Sequence, residues 1–143
     1  MKKDRKQKAE RLLTSVNLRC TRPRIAILNV LLGVKRPMTQ EDIASKLGSD
    51  RPNKVTIYRT LEALVEADLV HKAFMSERTW HFELADNCTE SQCHPHFTCT
   101  ECSDTHCLPE ISIPMAKSPY KGFNICHQQV QLEGLCPKCN PNV

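Results

Sequence analysis

Aromatic side chains and long apolar runs are scarce in this chain of 143 residues. Only 5% of the residues are aromatic, so each half can bury only a modest core, and a small second domain would need a metal or a partner chain. No run approaches the roughly 18 apolar residues of a membrane span. The N-terminal stretch MKKDRKQKAERLL has no apolar segment of the secretory type. We therefore expect a cytoplasmic protein with no membrane partner.

The chain also lacks the sequence patterns of a zinc-dependent hydrolase. It contains no H-E-x-x-H and no carboxylate pair beside its histidines. Such an enzyme would need an open coordination position, a pocket and a general base around an activated water. A hydrolase is therefore the disfavoured alternative, and we expect neither catalysis nor a small organic substrate.

Arginine is absent from the last part of the chain. Residues 85–143 carry three lysines against six acidic residues, whereas residues 1–84 carry 17 Lys and Arg against 10 Asp and Glu. Eight of the nine cysteines also lie in the second part. This shift predicts two domains, 1–84 and 85–143. The basic first domain favours a polyanionic partner, although a solvated lysine-rich surface would give the same charge.

Apolar periodicity in the first domain predicts helices followed by a hairpin. Helical spacing runs through residues 3–16, resumes after Arg22, restarts after a capping residue at Thr39 and continues over 54–68. Two apolar runs then flank the turn Ser-Glu-Arg, which is typical of a β-hairpin. Helices followed by a two-stranded wing describe a winged helix-turn-helix, which can place one helix in a DNA major groove.

Five side chains of this domain are candidate DNA contacts. The helix that begins near Lys54 is the predicted recognition helix, and its Tyr58 and Arg59 lie off the apolar stripe. Tyr58 can meet a thymine methyl or a phosphate, and an arginine can bind guanine or phosphate with two hydrogen bonds. Arg22 and Arg24 lie where a preceding helix would clamp the backbone. The alternative is that these are ordinary surface residues of a packed domain.

The cysteines of the second domain need an explanation other than disulfides. Without a secretory signal, metal binding or redox chemistry explains these cysteines better than disulfide bonds do. Cys99 and Cys102 form one C-x-x-C, and Cys136 and Cys139 form another. Together they supply the four thiolates of a structural zinc site. The gap of 33 residues exceeds the usual spacing of roughly 15–20, so two redox pairs are the alternative.

Two further stretches of the second domain have strand character. These are His106–Ile113 and Phe123–Leu132, separated by Pro114, Pro119 and Gly122. We expect a short helix or an irregular turn between the strands. Exposed strand edges with apolar side chains would suit pairing with a second copy of the chain.

Several motifs resemble the ferric uptake regulator (Fur) family in the family's order. They are VTIYRTLEALVEADLV with the preceding TRPRIAIL, then HFEL, HPHFTCTEC and GLCPKC. The resemblance implies an α+β homodimer with an N-terminal winged helix, a C-terminal α/β dimerisation domain and a regulatory metal at the hinge. It also implies that the four cysteines hold structural zinc and that Tyr58, Arg59 and Arg24 occupy DNA-contact positions.

The regulatory metal site is predicted from histidines upstream of the first C-x-x-C. His94 and His96 flank one residue, so both would face one side of a strand, and they match the family's regulatory histidines. Glu83 matches a regulatory carboxylate of the family. Cys88, near the hinge, is an alternative ligand, and His81 is a further candidate. Ligands from both sides of the hinge would lock the two domains together. The weaker candidates are Cys93, Cys107, Glu110 and His127.

Departures from the iron-sensing pattern favour zinc as the effector. The segment Cys93-His94-Pro95-His96 has a proline where iron sensors carry an oxygen ligand, and Cys107 stands where a carboxylate is common. Thiolate in place of carboxylate favours zinc over ferrous iron. The sequence thus predicts a metal-dependent homodimeric repressor that binds palindromic operator DNA of metal-uptake genes, with a zinc uptake regulator as the candidate branch. Iron sensing, or peroxide or thiol sensing through the remaining cysteines, is the alternative.

Overall fold

A computed structural model describes residues 2–34, 36–49, 51–85, 94–117 and 121–143. The chain divides into two compact units, Met1–Ala85 and Asp86–Val143. Across the described residues, every helix is too short or too polar to cross a membrane.

The first unit is a helical domain with a three-stranded sheet. Its elements in chain order are α1 (Lys2–Ser15), α2 (Arg22–Gly33), β1 (Met38–Thr39), α3 (Gln40–Leu47), α4 (Lys54–Glu66), β2 (Val70–Ser76) and β3 (Thr79–Leu84). The sheet has the order β1-β3-β2 with antiparallel pairs. The predicted helices and hairpin are confirmed, and β1 is an addition that the sequence analysis did not predict.

Side-chain caps fix where α3 and α4 begin. The Thr39 hydroxyl accepts a hydrogen bond from the Asp42 amide at 3.1 Å, and the Thr39 amide donates to the Asp42 carboxylate at 3.0 Å. The Asn53 side chain accepts from the amide three positions later at 2.8 Å. These bonds satisfy amides that a helix start leaves without partners. Gln40 Nε2 also donates to the Lys54 carbonyl at 2.9 Å, which joins the starts of the two helices.

The core of the first unit is continuous and apolar. Ile57, Leu61 and Leu64 of α4 follow helical spacing and are fully buried. They pack in one cluster with side chains from the other helices and the sheet: Ala9, Leu13, Ile27, Leu28, Leu31, Met38, Ile43, Val70 and Phe82. This burial leaves the opposite side of α4 exposed to solvent.

The second unit is built on a small sheet with almost no apolar core. Its strands are β4 (His96–Cys99), β5 (Thr105–Cys107) and β6 (Gln131–Gly134), in the order β5-β4-β6. β4 pairs antiparallel with β5 and parallel with β6. The buried side chains of its described part include the polar His96 and two cysteines. Hydrophobic burial within one chain is therefore too small to explain why this unit is compact.

The predicted strands of the second unit are wrong in extent. The prediction placed them at 106–113 and 123–132, whereas the structure has strands only at Thr105–Cys107 and Gln131–Gly134 in these regions. Pro109 lacks an amide donor and ends the first ladder soon after it begins. Ile111 is 44% exposed and Phe123 is 68% exposed, so apolar side chains in this stretch do not mark an inward-facing strand.

The connection between β5 and β6 contains no helix in its described residues, 108–117 and 121–130. The expected irregular turn is therefore confirmed there. Gln128 holds it together, because its Oε1 accepts from the Ala116 amide at 2.7 Å and its Nε2 donates to the Pro114 carbonyl at 3.1 Å. Gly122 has a φ of 93°, a conformation that favours glycine.

Candidate metal centres and nucleic-acid interface

Four cysteine sulfurs converge at one end of the second sheet. β4 and β6 run parallel, with Cys99 opposite the last residue of β6, so both strands leave the sheet at the same end. A tight turn after β4 brings Cys102 back beside Cys99. After β6, the Cys139 amide donates to the Cys136 carbonyl at 3.0 Å and closes a second turn. The four sulfurs lie within 4.8 Å of one another.

The spacing of these sulfurs fits a tetrahedral zinc ion. Four sulfurs at ~2.3 Å from one zinc stand about 3.8 Å apart. Cys102 Sγ lies 3.8 Å from Cys136 Sγ. The Cys136 amide also donates to Cys99 Sγ at 3.4 Å, as amides do around thiolate ligands. One cluster of four suits a metal better than the two separate redox pairs that the spacing left open.

The cysteines of this cluster differ in the pKa of their thiol groups. Backbone amides of Cys102 and Cys136 point at the Cys99 sulfur and lower its pKa to about 6. Hydrogen bonds with Cys136 and Cys102 raise the pKa of Cys139 to about 12. At neutral pH the cluster therefore contains a thiolate to attract a cation, and at least one thiol that must release its proton when a metal binds.

A second group of metal-binding side chains lies on the β4–β5 ladder. His96 pairs in register with Cys107, and His94 precedes the strand. The rings of His94 and His96 are 4.6 Å apart between centroids. One potential ligand atom from each of the three residues lies within 4.8 Å of the others. His96 is fully buried, whereas histidine is only intermediate among the residue types in how often it is fully buried.

Imidazole and thiolate are the donors that zinc prefers, whereas carboxylates suit harder cations. Two imidazoles and one sulfur also leave room for a fourth donor in a tetrahedral site. The group therefore fits zinc, and it contains Cys107, which the sequence analysis ranked among the weaker candidates. Cys107 belongs to the group because β4 and β5 pair in a register that places it directly opposite His96.

Glu83 lies on the first unit, on the wing strand β3. It is the register partner of His71 on β2, and His71 Nε2 lies 2.6 Å from Glu83 Oε1. This contact orients the carboxylate, as histidine or carboxylate partners do for metal ligands. His71 was not among the predicted site residues. A histidine and an acid on the two strands of one predicted hairpin are only a weak signal, because a β-bulge can shift which residues pair.

The other predicted regulatory ligands lie elsewhere. His81 stacks on Phe74 with centroids 4.4 Å apart in the first unit, and burial lowers the pKa of its ring. Glu110 and His127 are exposed. Among the described residues, none of these three belongs to either group of potential ligands. Cys88 and Cys93 lie outside the described residues.

Three of the predicted DNA-contact residues lie on α4, and the other two lie in the first turn of α2. Tyr58 is 52% exposed, and Lys54 and Arg59 are also exposed. Arg22 is exposed at the start of α2. Arg24 is partly buried, and its guanidinium donates to the Arg19 carbonyl at 3.1 Å. Four of the five cations and aromatics are thus free to meet a ligand, and Arg24 is braced at the start of its helix.

Comparison with known proteins matches one family. The model of the Ferric uptake regulator family matches residues 15–133. Over 140 residues the chain is 29% identical to ferric uptake regulation protein 2 of Mycolicibacterium fortuitum, covering 92% of each chain. Over 138 residues it is 30% identical to the transcriptional regulator FurA of Mycobacterium tuberculosis, covering 92% of this chain and 89% of that protein.

The fold is also similar to that of a protein solved with its ligands. That structure is a zinc uptake regulator complexed with zinc and DNA. The two share a TM-score of 0.64 at 22% sequence identity, over 97% of this chain and 95% of the other. The likeness establishes the fold of this chain as a winged helix-turn-helix followed by a small domain, whose described residues contain a three-stranded sheet and no helix, in place of the α/β domain that the family resemblance implied.

Proposed function

Because the chain belongs to the ferric uptake regulator family of metal-responsive transcriptional regulators, we propose that it is a zinc-responsive repressor. In this proposal a homodimer binds palindromic operator DNA of metal-uptake genes in the cytoplasm. The main support for this proposal is the group formed by the buried His96 with His94 and Cys107, a donor set that suits zinc better than ferrous iron. Iron is the second candidate effector, and two curated relatives of this chain have names that refer to ferric uptake or Fur.

The two groups of ligands have different proposed roles. The four cysteines hold a structural zinc that stabilises the second unit. His94, His96 and Cys107 hold the regulatory metal, with Glu83 of the first unit proposed as the donor that links metal loading to the DNA-binding unit. A zinc ion supplies bonds only in the arrangement where all its ligands meet. His71 would hold the Glu83 carboxylate ready for that role, since the two side chains already contact each other.

The effector can be identified by titration. The purified protein would first select duplexes from a randomised DNA library in buffered zinc. Affinity for the selected duplex would then be measured against free zinc and free ferrous iron at one salt concentration, because salt alone changes such affinities. We expect zinc to tighten binding by about 5- to 150-fold, the usual range of such coupling. A duplex bound equally well with and without either metal would refute metal sensing, and a response to iron alone would refute zinc as effector.

The DNA-binding role of α4 predicts a large effect for one arginine. Arg59→Ala should weaken binding to the selected duplex by about 10- to 100-fold, because a bidentate arginine contact to a base is worth roughly 1–3 kcal/mol. Zinc content and dimerisation should not change, since Arg59 is exposed and lies outside both metal groups. Arg11→Ala, an exposed arginine on α1, is the matched control. Equal affinity for the Arg59→Ala and Arg11→Ala variants would contradict the assignment.

A further inference from the structure

A hollow of about 470 Å³ lies among α1, α2 and α3 in the first unit. Its volume falls within the range of small-molecule pockets, roughly 300–1,000 Å³. Three cationic side chains line it: Lys2 and Arg5 of α1 and Lys46 of α3. Its apolar wall includes Val30 of α2 and Leu47 of α3, both packed against the core of the unit. An apolar wall with a few charged groups of one sign suits a small organic ligand of the opposite charge.

The three cations of this hollow have no acidic partner among the described residues. Both ion pairs in that part of the chain involve a residue of β2, and no acid lines the hollow. Helix ends change the balance little, because the ends of α2 and α3 each carry roughly half a negative charge and the start of α1 roughly half a positive one. About two positive charges therefore remain uncompensated, which matches the charge of a small dianion.

One polar atom of the hollow also lacks a hydrogen bond. Asn29 of α2 is a lining residue, and its Oδ1 is buried and accepts no hydrogen bond from the described residues. Asparagine is a weak helix former, and a buried polar atom without a hydrogen bond destabilises a fold. Neither the helix nor the core therefore accounts for Asn29. A ligand hydroxyl group could donate the missing hydrogen bond.

The position of Arg5 depends on a glycine. A Cβ atom added at Gly33, the last residue of α2, would overlap Arg5 Nη1, so the guanidinium lies directly against the α2 backbone. A purely structural role would be to neutralise the negative end of α2, which has no basic residue in its own last turn. Lys46 does the same for α3. That role explains two of the cations, but it explains neither Lys2 nor the buried oxygen of Asn29.

We propose that this hollow binds a small dianion that carries a hydroxyl group, either a hydroxycarboxylate or a phosphate ester of a polyol. Lys2, Arg5 and Lys46 neutralise its charges, and Asn29 Oδ1 accepts a hydrogen bond from its hydroxyl group. The carbon skeleton of the ligand lies against the apolar wall. This site belongs to the first unit alone and is independent of the proposed response to zinc.

Two matched pairs of probes test the chemistry of the ligand. Malate and succinate share two carboxylates, but only malate has a hydroxyl group; glycerol phosphate and propyl phosphate share the phosphate, but only the first has hydroxyl groups. An NMR titration of the purified full chain, read at the amides of α1, α2 and α3, would measure each affinity apart from any chelation of metal by the probes. We expect at least one hydroxylated probe to bind about 10-fold more tightly than its partner, because it alone satisfies the buried amide oxygen. The pair that shows this preference identifies the anion as carboxylate or phosphate.

Three variants test the lining residues with the preferred probe. Lys46→Met should weaken its binding about 5-fold, as expected for the loss of one exposed charge. Asn29→Leu, a change of similar volume, should make the two members of the pair bind equally. Gly33→Ala suits a helix but displaces the Arg5 guanidinium, so it should also weaken binding. Lys8→Met, at an exposed lysine of α1 outside the hollow, is the control for the change in charge.

Three results would overturn the inference. The first is the absence of amide shifts with all four probes at about 10 mM, a concentration at which even weak specific binding is visible. The second is equal affinity for the two members of both pairs, which would leave Asn29 without a ligand. The third is an equal loss of affinity in Lys46→Met and Lys8→Met, which would show only the general attraction of anions to a basic domain. Thermal melting of each variant would confirm that it is folded.

Discussion

Replacing Cys99 with serine should unfold the second unit and leave the first folded. The fully buried cysteines Cys99 and Cys136 stand where an apolar core would be, and the large apolar cluster lies wholly in the first unit. Structural zinc in small domains contributes about 10–16 kcal/mol of apparent binding energy, which doubles as folding energy. Losing one thiolate of four should therefore remove most of what holds β4, β5 and β6 together.

Hydrogen exchange measured by mass spectrometry would resolve the two units. We expect peptides from β4–β6 to exchange freely in Cys99→Ser, with α2 and α4 as protected as in the native chain. Cys126→Ser is the matched control, because Cys126 is an exposed cysteine of the same unit and lies outside both metal groups. A variant that lost zinc but kept protection in β4–β6 would contradict the structural role of the site.

The ionisation of the sulfurs gives this prediction a pH dependence. Cys139, with a pKa of about 12, must release a proton on binding zinc at any ordinary pH. Cys99, with its pKa lowered to about 6, is already a thiolate at neutral pH and adds one more released proton only below about pH 6. The apparent zinc affinity should therefore fall as the pH falls, and more steeply by one proton below about pH 6. Chelator competition at several pH values would measure the slope.

The first unit was predictable because its signals are local. The helical spacing of Ile57, Leu61 and Leu64 lies within one element, and the predicted cap at Thr39 bonds a residue only three positions away. The structure shows a capping box at Thr39, in which Asp42 takes the place usually held by glutamate and accepts the second hydrogen bond. β1 is only two residues long, and its pairing with β3 has no local signal of its own.

The second unit was predictable in chemistry but not in geometry. The two C-x-x-C motifs identified the four sulfurs, yet their spacing left two interpretations open: one metal cluster or two separate redox pairs. The parallel pairing of β4 with β6 decides where those turns lie, and it joins two strands that are far apart in the sequence, with β5 between them. Exposed apolar residues such as Ile111 and Phe123 imitate strand patterns without forming a ladder.

One irregularity explains why His71 was missed. Counting back from the turn pairs Met75 with Trp80 and would place Lys72 opposite Glu83. The register shifts between Lys72 and Phe74, so that His71 takes that place instead. A β-bulge of this kind re-aims side chains by one position, and sequence alone does not show where it falls.

Replacing Cys107 should change which metal activates DNA binding by the protein. In the proposed site, two imidazoles and one thiolate select zinc, and a carboxylate in place of the sulfur favours harder cations. Cys107→Asp should therefore weaken the response to zinc and strengthen the response to ferrous iron, measured as the free metal concentration at half-maximal DNA binding. The register partner His96 stays in place, so the comparison isolates the donor atom. Cys126→Asp, an exposed position outside the metal groups, should leave both responses unchanged.

Removing the His96 side chain should abolish the increase in DNA affinity that metal binding causes. His96 is buried beside His94 and Cys107, and without its imidazole the remaining donors can no longer hold a metal firmly. His96→Ala should keep one tightly bound zinc per chain at the four cysteines but lose the second, and with it the whole metal-induced gain in DNA affinity, about 5- to 150-fold. His127→Ala, an exposed histidine of the same unit, is the control. A His96→Ala protein that still bound DNA more tightly with added zinc would place the sensing site elsewhere, whereas one that lost both zinc ions would show that the two sites do not fold independently.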